Sequence, residues 1–241
     1  SLSYLKELEW ITPETERYYF APDMIRLIRS YPHQEIGTHT FSHFYCLEDG
    51  QTAEDFEADI ERAKEVAEEQ GIQISSIVYP RNQRNPAYDP LLIEQGFRAF
   101  RGTGEEAPYR AGSQGNTSSL RKRAVRFLDA YLPLVKQSGY DPSDHRGTLV
   151  DLRASRFLRP YSKRLSLFEP LKIKRITAEM TEAAEKGLLY HLWWHPHNFG
   201  TNIDENMQNL EQILACYSHL RRQYVMESLS MSELADTLYE P

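Results

Sequence analysis

Cysteine is scarce in this sequence, and long apolar runs are missing. The two cysteines among 241 residues, Cys46 and Cys216, lie far apart and show no CxxC spacing, which excludes a disulfide framework. No run approaches the roughly 18 apolar residues that a membrane span requires, and no charged segment followed by an apolar one marks a secretion signal. We therefore predict reduced thiols, a cytoplasmic location and no membrane partner.

Positive charge is also in short supply. The chain has 28 Lys and Arg residues against 35 Asp and Glu residues, which gives a formal net charge of -7 at pH 7. Because nucleic-acid binding needs a basic face that neutralises phosphates, we predict no nucleic-acid partner. The locally basic segment 121–126 is typical of a solvated helix face.

The apolar content is sufficient for one large domain. Hydrophobic residues make up 40% of the chain, and the mean hydropathy is -0.61. A chain of 241 residues fits one large unit more easily than two small ones. We predict a single α/β domain over residues 1–241.

Helical and strand-like segments alternate along the chain. Such alternation, with polar residues at strand ends, is typical of an α/β barrel or a doubly wound parallel sheet. A clear helix begins after Thr52, a good N-cap, and ends at Gly71. An exposed loop is predicted over residues 102–119. The patterns predict helices over 22–29, 53–70, 88–95, 120–137, 171–186, 204–222 and 232–238, and strands over 35–40, 72–79, 97–101, 148–153, 188–194 and 224–229.

Five of the eight histidines lie in two clusters, each at the end of a strand-like run. His39 and His43 stand four residues apart, a spacing that lets two imidazoles on one helical or loop turn face a common ion. His191, His195 and His197 form the second cluster. Because the carboxyl ends of parallel strands meet at one edge of a sheet, the clusters predict one metal site assembled by the fold. The alternative is a structural role for a pair that also occurs by chance.

Further polar and aromatic residues follow the same strand ends. Arg81 and Asn82 come after a buried strand-like run, and Arg81 can orient an acidic group or a substrate oxygen through its planar fork. His195 can protonate a leaving group because imidazole titrates near neutral pH. Trp193 and Trp194 alternate faces, so we expect one in the core and the other against a sugar-sized pocket. These residue types favour metal-assisted hydrolysis.

Three motifs resemble those of NodB-type polysaccharide deacetylases. Residues 39–43, HTFSH, are similar to the H-[ST]-x-x-H zinc motif, and residues 79–82, YPRN, are similar to the Arg/Pro groove motif in a different order. Residues 192–195, LWWH, resemble the late Leu-x-x-His motif, whose His acts as general acid. The motifs come in the order that the family has.

The resemblance implies a distorted or incomplete (β/α) barrel that removes N- or O-acetyl groups from an acetylated carbohydrate. It also implies a divalent metal, zinc above all, as the cofactor. The predicted site consists of the metal ligands His39 and His43, the catalytic residues His195 and Arg81, and the substrate-binding residues Trp194, Asn82 and His197.

One motif of the family is missing. The family opens with a Thr-Phe-Asp-Asp strand that supplies a catalytic base and a metal ligand, and no such run precedes His39. We therefore expect a fragment that lacks the first strand. Two alternatives remain: a non-catalytic carbohydrate-binding domain on the same fold, and a metal-dependent hydrolase of a peptide or phosphoester in which His197 is the third ligand.

Overall fold

The computed structural model of the protein describes residues 10–103, 120–132, 139–141 and 149–239. These residues fall into two compact units, one ending at Ile36 and the other beginning at Gly37. We describe each unit by itself, and the single domain over residues 1–241 stays a prediction. The predicted loop 102–119 lies, from residue 104 on, outside the described residues.

The first unit contains the short helix that the sequence predicts. A 3-10 turn spans Glu16–Tyr18, and helix α1 spans Pro22–Arg29. Pro22 begins the helix at a position where its missing N–H leaves no hydrogen bond unmade. Several large apolar side chains of this unit are exposed to solvent, among them Trp10, Tyr18 and Met24.

Within the described residues, the second unit has six α-helices, and the sequence predicts each of them. The predicted N-cap Thr52 is confirmed, since it accepts the Asp55 N–H at 3.1 Å, and Ser230 caps the last helix by accepting the Glu233 N–H at 3.3 Å. Gly187 ends a further helix with a φ of 64°. The helices are α2 (Ala53–Glu69), α3 (Asp89–Glu94), α4 (Leu120–Asp129), α5 (Glu169–Lys186), α6 (Ile203–Tyr224) and α7 (Met231–Tyr239).

The strands are short and parallel, which confirms a mixed α/β fold. In the described part of the chain they form a sheet of order β1-β2-β3 and a two-stranded sheet β4-β5. All three strand pairs are parallel. The strands are β1 (Ser76–Ile77), β2 (Ala99–Phe100), β3 (Val150–Asp151), β4 (Arg156–Phe157) and β5 (Leu192–Trp193).

A single extended segment, residues 150–158, joins the two sheets. The Leu152 N–H donates to the Phe100 carbonyl at 2.9 Å, whereas the Leu158 N–H donates to the Trp193 carbonyl at 2.8 Å. The segment therefore pairs first with β2 and then with β5. At the far edge Thr38 pairs in parallel with Ile77 of β1. Over the described residues these strands form a row that does not close into a barrel.

Two strand predictions are wrong, and one strand is missed. The predicted strand 35–40 pairs only at Thr38, because the φ of 63° at Thr40 is incompatible with a strand. The predicted strand 224–229 is irregular, since Val225 ends helix α6 with a φ of 56°. The patterns miss β4 because Arg156 interrupts the apolar signal there. The other predicted strands each contain one observed strand.

Two apolar cores support the two ends of this row of strands. In the first core Phe56 of α2 stacks on Tyr88, with ring centroids 4.9 Å apart. In the second core α5 packs against α6 and β5. The buried members are Phe44, Cys46, Phe56, Ile60, Ile77, Tyr79, Tyr88, Leu92, Phe97, Phe100 and Leu149 in the first core, and Leu158, Ile173, Ile176, Met180, Phe199, Ile213 and Leu220 in the second.

Both cysteines are free thiols, as predicted. Burial raises the pKa of the Cys46 thiol to about 12, so this side chain acts as a small apolar core residue. Among the helices of the described residues, none combines the length and the apolarity needed to cross a membrane.

A cluster of buried charges joins α4, β4 and α5. Arg156 is 4% exposed, and its guanidinium lies 2.8 Å from an Asp129 oxygen and 2.6 Å from a Glu179 oxygen. Arg175 contacts the same two carboxylates at 3.0 and 3.2 Å. Two cations thus balance two anions, and the hydroxyl of Tyr190 donates to Glu179 at 3.0 Å. A cluster of this kind is satisfied internally and holds β4 in register with its helices.

Candidate functional site

Backbone pairing fixes the start of the first histidine cluster. The Thr38 N–H donates to the Ser76 carbonyl at 3.0 Å, and the Val78 N–H donates to the Thr38 carbonyl at 2.9 Å. A Cβ at Gly37 would lie 2.6 Å from the Ser76 hydroxyl, so glycine permits this close approach. The pairing brings His39 to the carboxyl end of β1, where Arg81 also follows.

His39 and His43 form a pair suited to a metal ion. The Nδ1 of His39 lies 2.6 Å from the Val78 carbonyl oxygen. A carbonyl only accepts, so Nδ1 carries the proton and Nε2 keeps a lone pair. The His43 ring lies 4.9 Å from the His39 ring, measured between centroids. Histidines that bind metals usually donate their other ring N–H in this way, and two ligands of a metal site therefore fit.

Asp59 of helix α2 holds the loop between the two histidines. Its buried carboxylate accepts the Phe41 N–H at 2.7 Å and the Ser42 N–H at 2.8 Å, and it also accepts the Ser42 hydroxyl. The Thr40 hydroxyl oxygen accepts the Phe44 N–H at 2.7 Å. Sequence reasoning missed Asp59, although a carboxylate on the apolar face of a helix is a signal that could have indicated it.

Four residues in the two site loops have a left-handed backbone. The φ angles are 63° at Thr40, 59° at His43, 51° at Arg81 and 56° at Asn82. Each such residue costs on the order of 1–3 kcal/mol and persists where its surroundings hold it. Clustered strain of this kind is typical of functional sites, and here it sets the direction of three predicted site residues.

Arg81 lies beside the first cluster, as the sequence predicts. Its guanidinium carbon lies 4.7 Å from the Tyr45 ring centroid, and the His43 ring lies 5.1 Å from the same ring. The charge of Arg81 also contributes to the shift in the pKa of His43, after the larger effect of burial. Arg81, Tyr45 and His43 therefore form one group on an exposed surface.

The second cluster lies within electrostatic reach of the first. His195 lies 5.3 Å from the Trp193 ring and 5.2 Å from the His197 ring, measured between centroids. His195 contributes to lowering the pKa of His39, although burial has the largest effect there. His195 is thus within electrostatic reach of His39, and His197 stacks on His195.

The two tryptophans face opposite sides of the chain, as their alternation predicts. Trp194 stacks on Phe199, with ring centroids 6.1 Å apart, and packs with the second core. Trp193 lies against His195 and Arg101. Trp194 is therefore the core-facing tryptophan, and Trp193 lies on the face that was predicted for Trp194.

Sequence reasoning also missed Arg101, which follows β2. Its guanidinium carbon lies 4.1 Å from the Trp193 ring centroid, and its Nη2 donates to the Asn82 Oδ1 at 3.1 Å. Arg101 thus connects the loop after β1 with the end of β5. Its place at the end of a predicted strand was the available signal. Three other predicted strands, 35–40, 72–79 and 188–194, also have predicted site residues at their ends.

Burial and neighbouring cations keep the imidazoles of the site neutral. Burial lowers the pKa of His39, and His43, Arg101 and His195 add to the effect. Burial likewise lowers the pKa of His43 and of His195. Neutral imidazoles are ready metal ligands. Burial lowers the pKa of His195, which favours a neutral ring at pH 7, and its role as general acid stays a prediction.

The described residues bring the two predicted metal ligands, His39 and His43, side by side and form no complete cluster around them. Over residues 10–103, 120–132, 139–141 and 149–239, no group of three or more His, Cys, Asp or Glu side chains could hold a metal ion. Enzymes that use zinc commonly supply three protein ligands. The role of His197 as a third metal ligand, in a hydrolase of peptides or phosphoesters, stays a prediction.

Comparison with models of known protein families gives no match, and comparison with characterised proteins gives none either. The likeness to polysaccharide deacetylases therefore depends on the three motifs and on the site that they form. An activity for this chain is accordingly a proposal from the geometry described above.

We predict that Asp59 is required for metal binding through its hold on the 41–42 backbone. Asp59→Ala should weaken zinc binding about 10- to 100-fold, the range measured when an outer-shell partner is lost. The measurement is competition with a fluorescent zinc chelator, and Glu54→Ala, an exposed carboxylate on the same helix, serves as the control. Equal zinc affinity in Asp59→Ala and Glu54→Ala would contradict this role.

We also predict an acid-sensitive stability that depends on His191. Burial lowers its pKa to about 4, whereas an unfolded histidine titrates near 6.5. Between these values the unfolded state binds a proton that the folded state excludes, so stability falls as the pH falls, by up to about 1.4 kcal/mol per pH unit.

Urea unfolding between pH 7 and pH 4.5 tests this dependence. In His191→Asn the free energy of unfolding should fall less steeply with decreasing pH than in the wild-type protein. The control is His219→Asn, since His219 is exposed on α6. The same slope in His191→Asn and in the wild-type protein would show that His191 is not the group responsible.

Proposed function

We propose that this protein is a metal-dependent hydrolase that removes acetyl groups from an N- or O-acetylated carbohydrate. We further propose that its strands belong to an incomplete (β/α) barrel of the polysaccharide deacetylase type. The observation that carries the proposal is the His39–His43 pair, with ring centroids 4.9 Å apart and the His39 Nδ1 bound to a carbonyl. The pair lies at the carboxyl ends of parallel strands, where α/β folds form their sites.

His39, through Nε2, and His43 are the residues that hold the ion. Zinc suits imidazole ligands, and a bound zinc ion polarises a carbonyl and lowers the pKa of a bound water. The lowered pKa values of both histidines keep their lone pairs available at neutral pH. Asp59 preserves the conformation of the loop that carries the two histidines.

His195 and Arg81 act on the reacting groups. His195 is exposed, and its neutral ring can accept a proton from the attacking water and return it to the leaving nitrogen or oxygen. Arg81 is exposed beside His43 and Tyr45, where its planar fork can orient an oxygen of the substrate. Both roles follow from position and chemistry.

The surroundings of the site suit a sugar. Trp193 is partly exposed beside His195, with the Arg101 guanidinium carbon 4.1 Å and the Phe157 ring 4.5 Å from its ring centroid, and we propose that the part of the ring left open contacts the sugar. An open surface depression next to His43 is lined by Phe41, Tyr45 and Arg62, among others. Sugar residues on either side of the acetylated one could extend over it.

A non-catalytic carbohydrate-binding domain is the second candidate. This candidate is favoured because no group of three metal-ligand side chains is found among the described residues. The sequence also has no Asp-Asp motif before His39. Such a domain would keep the sugar surface formed by Trp193 and lose the chemistry. Its signature is sugar binding that survives a chelator, without release of acetate.

Acetate release from N-acetylglucosamine oligomers and from O-acetylated xylan fragments tests the proposal. We expect release that stops in chelator, returns with zinc or cobalt, and falls at least about 100-fold in His39→Ala and His195→Ala. His219→Ala, an exposed histidine on α6, should keep full activity. Turnover without metal, or release of phosphate from a phosphoester with no acetate released, would overturn the proposal.

A further inference from the structure

Arg101 presents its charge to the face on which the histidines lie. Its positive charge contributes, after burial, to the lowered pKa values of His39 and His195, so both rings are within its electrostatic reach. Among the described residues it is held by the stack on Trp193 at 4.1 Å and by the hydrogen bond to Asn82 at 3.1 Å. A guanidinium has five N–H donors in a planar fork, and this arrangement uses one of them.

No carboxylate in the described part of the chain pairs with Arg101. Burial lowers the pKa of this guanidinium to about 10, and no anion counters the effect. This is the direction expected when a cation loses water and gains no partner. A half-buried cation in such a position is stabilised when an anion binds to it.

Two other partly or fully buried arginines, Arg84 and Arg156, pair with carboxylates, unlike Arg101. Arg84 lies 4.3 Å from the Phe100 ring and donates to Asp89, with one distance of 3.1 Å. Arg156 is paired with Asp129 and Glu179. Burial alone would lower the pKa of both, but the hydrogen bonds to these carboxylates raise it. Within the described residues, carboxylates thus pair with the guanidinium groups of Arg84 and Arg156, and none pairs with Arg101.

We propose that Arg101 recognises an anionic substituent of the ligand, a carboxylate or a phosphate, so that the acetylated carbohydrate is an acidic one. Two donors of the fork can bind two oxygens of such a group, and Asn82 and Trp193 hold the fork in place. The identity of the ligand as a carbohydrate rests on the proposed function. The preference for an anion is measured as a difference in binding affinity, which does not depend on acetate release.

Binding of three small probes tests this inference. They are the methyl glycoside of N-acetylglucosamine, N-acetylglucosaminuronic acid, and N-acetylglucosamine 6-phosphate. Their dissociation constants are measured with the full chain by ligand-observed NMR at low salt. We expect at least one anionic probe to bind about tenfold more tightly than the neutral one, a factor typical of charge-assisted pairing. The stronger of the two identifies the carboxylate or the phosphate as the source.

Matched variants assign the preference to Arg101. Arg101→Gln should remove the difference in affinity between the anionic probes and the neutral one, since one charge-assisted contact is lost. Arg101→Lys keeps the charge without the fork and should retain part of the preference. The control is Arg98→Gln, because Arg98 pairs with Asp236 just before β2. If Arg101→Gln fails to fold, Arg101→Lys carries the test.

Three outcomes would overturn the inference: equal binding of all probes, no measurable binding of either anionic probe, or a preference that Arg101→Gln retains. Acetate release without an anion preference would remove this inference and leave the proposed function. An anion preference without acetate release would support this inference and contradict the proposed function.

Discussion

The backbone of Val78 is the point on which the candidate site depends. Its N–H pairs with the Thr38 carbonyl at 2.9 Å, and its carbonyl accepts the His39 Nδ1–H at 2.6 Å. One peptide segment therefore decides where His39 stands and which ring nitrogen keeps a lone pair. Arg81 follows Val78 by three residues. Backbone pairing alone therefore places the loop that carries His39 beside the loop that carries Arg81.

Around this backbone link the site combines neutral imidazoles with guanidinium groups. Arg81 and Arg101 help to lower the pKa values of the histidines, after the larger effect of burial. An arrangement of this kind repels a proton from each ring and attracts anions and electron-rich oxygens. The left-handed residues and the clamp by Asp59 hold the arrangement in place at some cost in backbone strain. Metal ligation and recognition of an acidic sugar are thus compatible uses of one surface.

Much of this fold follows from sequence patterns, but the finer features of the site do not. Helices with caps at Thr52 and Ser230 follow from local chemistry, and so does the placement of the histidines at strand ends. The true length of the predicted strand 35–40 does not follow from the sequence, because the pattern of apolar residues does not indicate the left-handed backbone of Thr40. Alternation puts Trp193 and Trp194 on opposite faces without telling which one faces the core. The role of Arg101 depends on contacts between three strand ends, and these are set by tertiary structure.

The zinc content of the protein after dialysis against zinc and then buffer tests the central claim most directly. Elemental analysis should find about one zinc per chain in the wild-type protein and in His219→Ala, the count expected for a single site. Zinc should be lost in both His39→Ala and His43→Ala, because each removes one of the two adjacent histidines that we propose as ligands. A wild-type protein without zinc, or a His39→Ala variant that keeps it, would contradict the account.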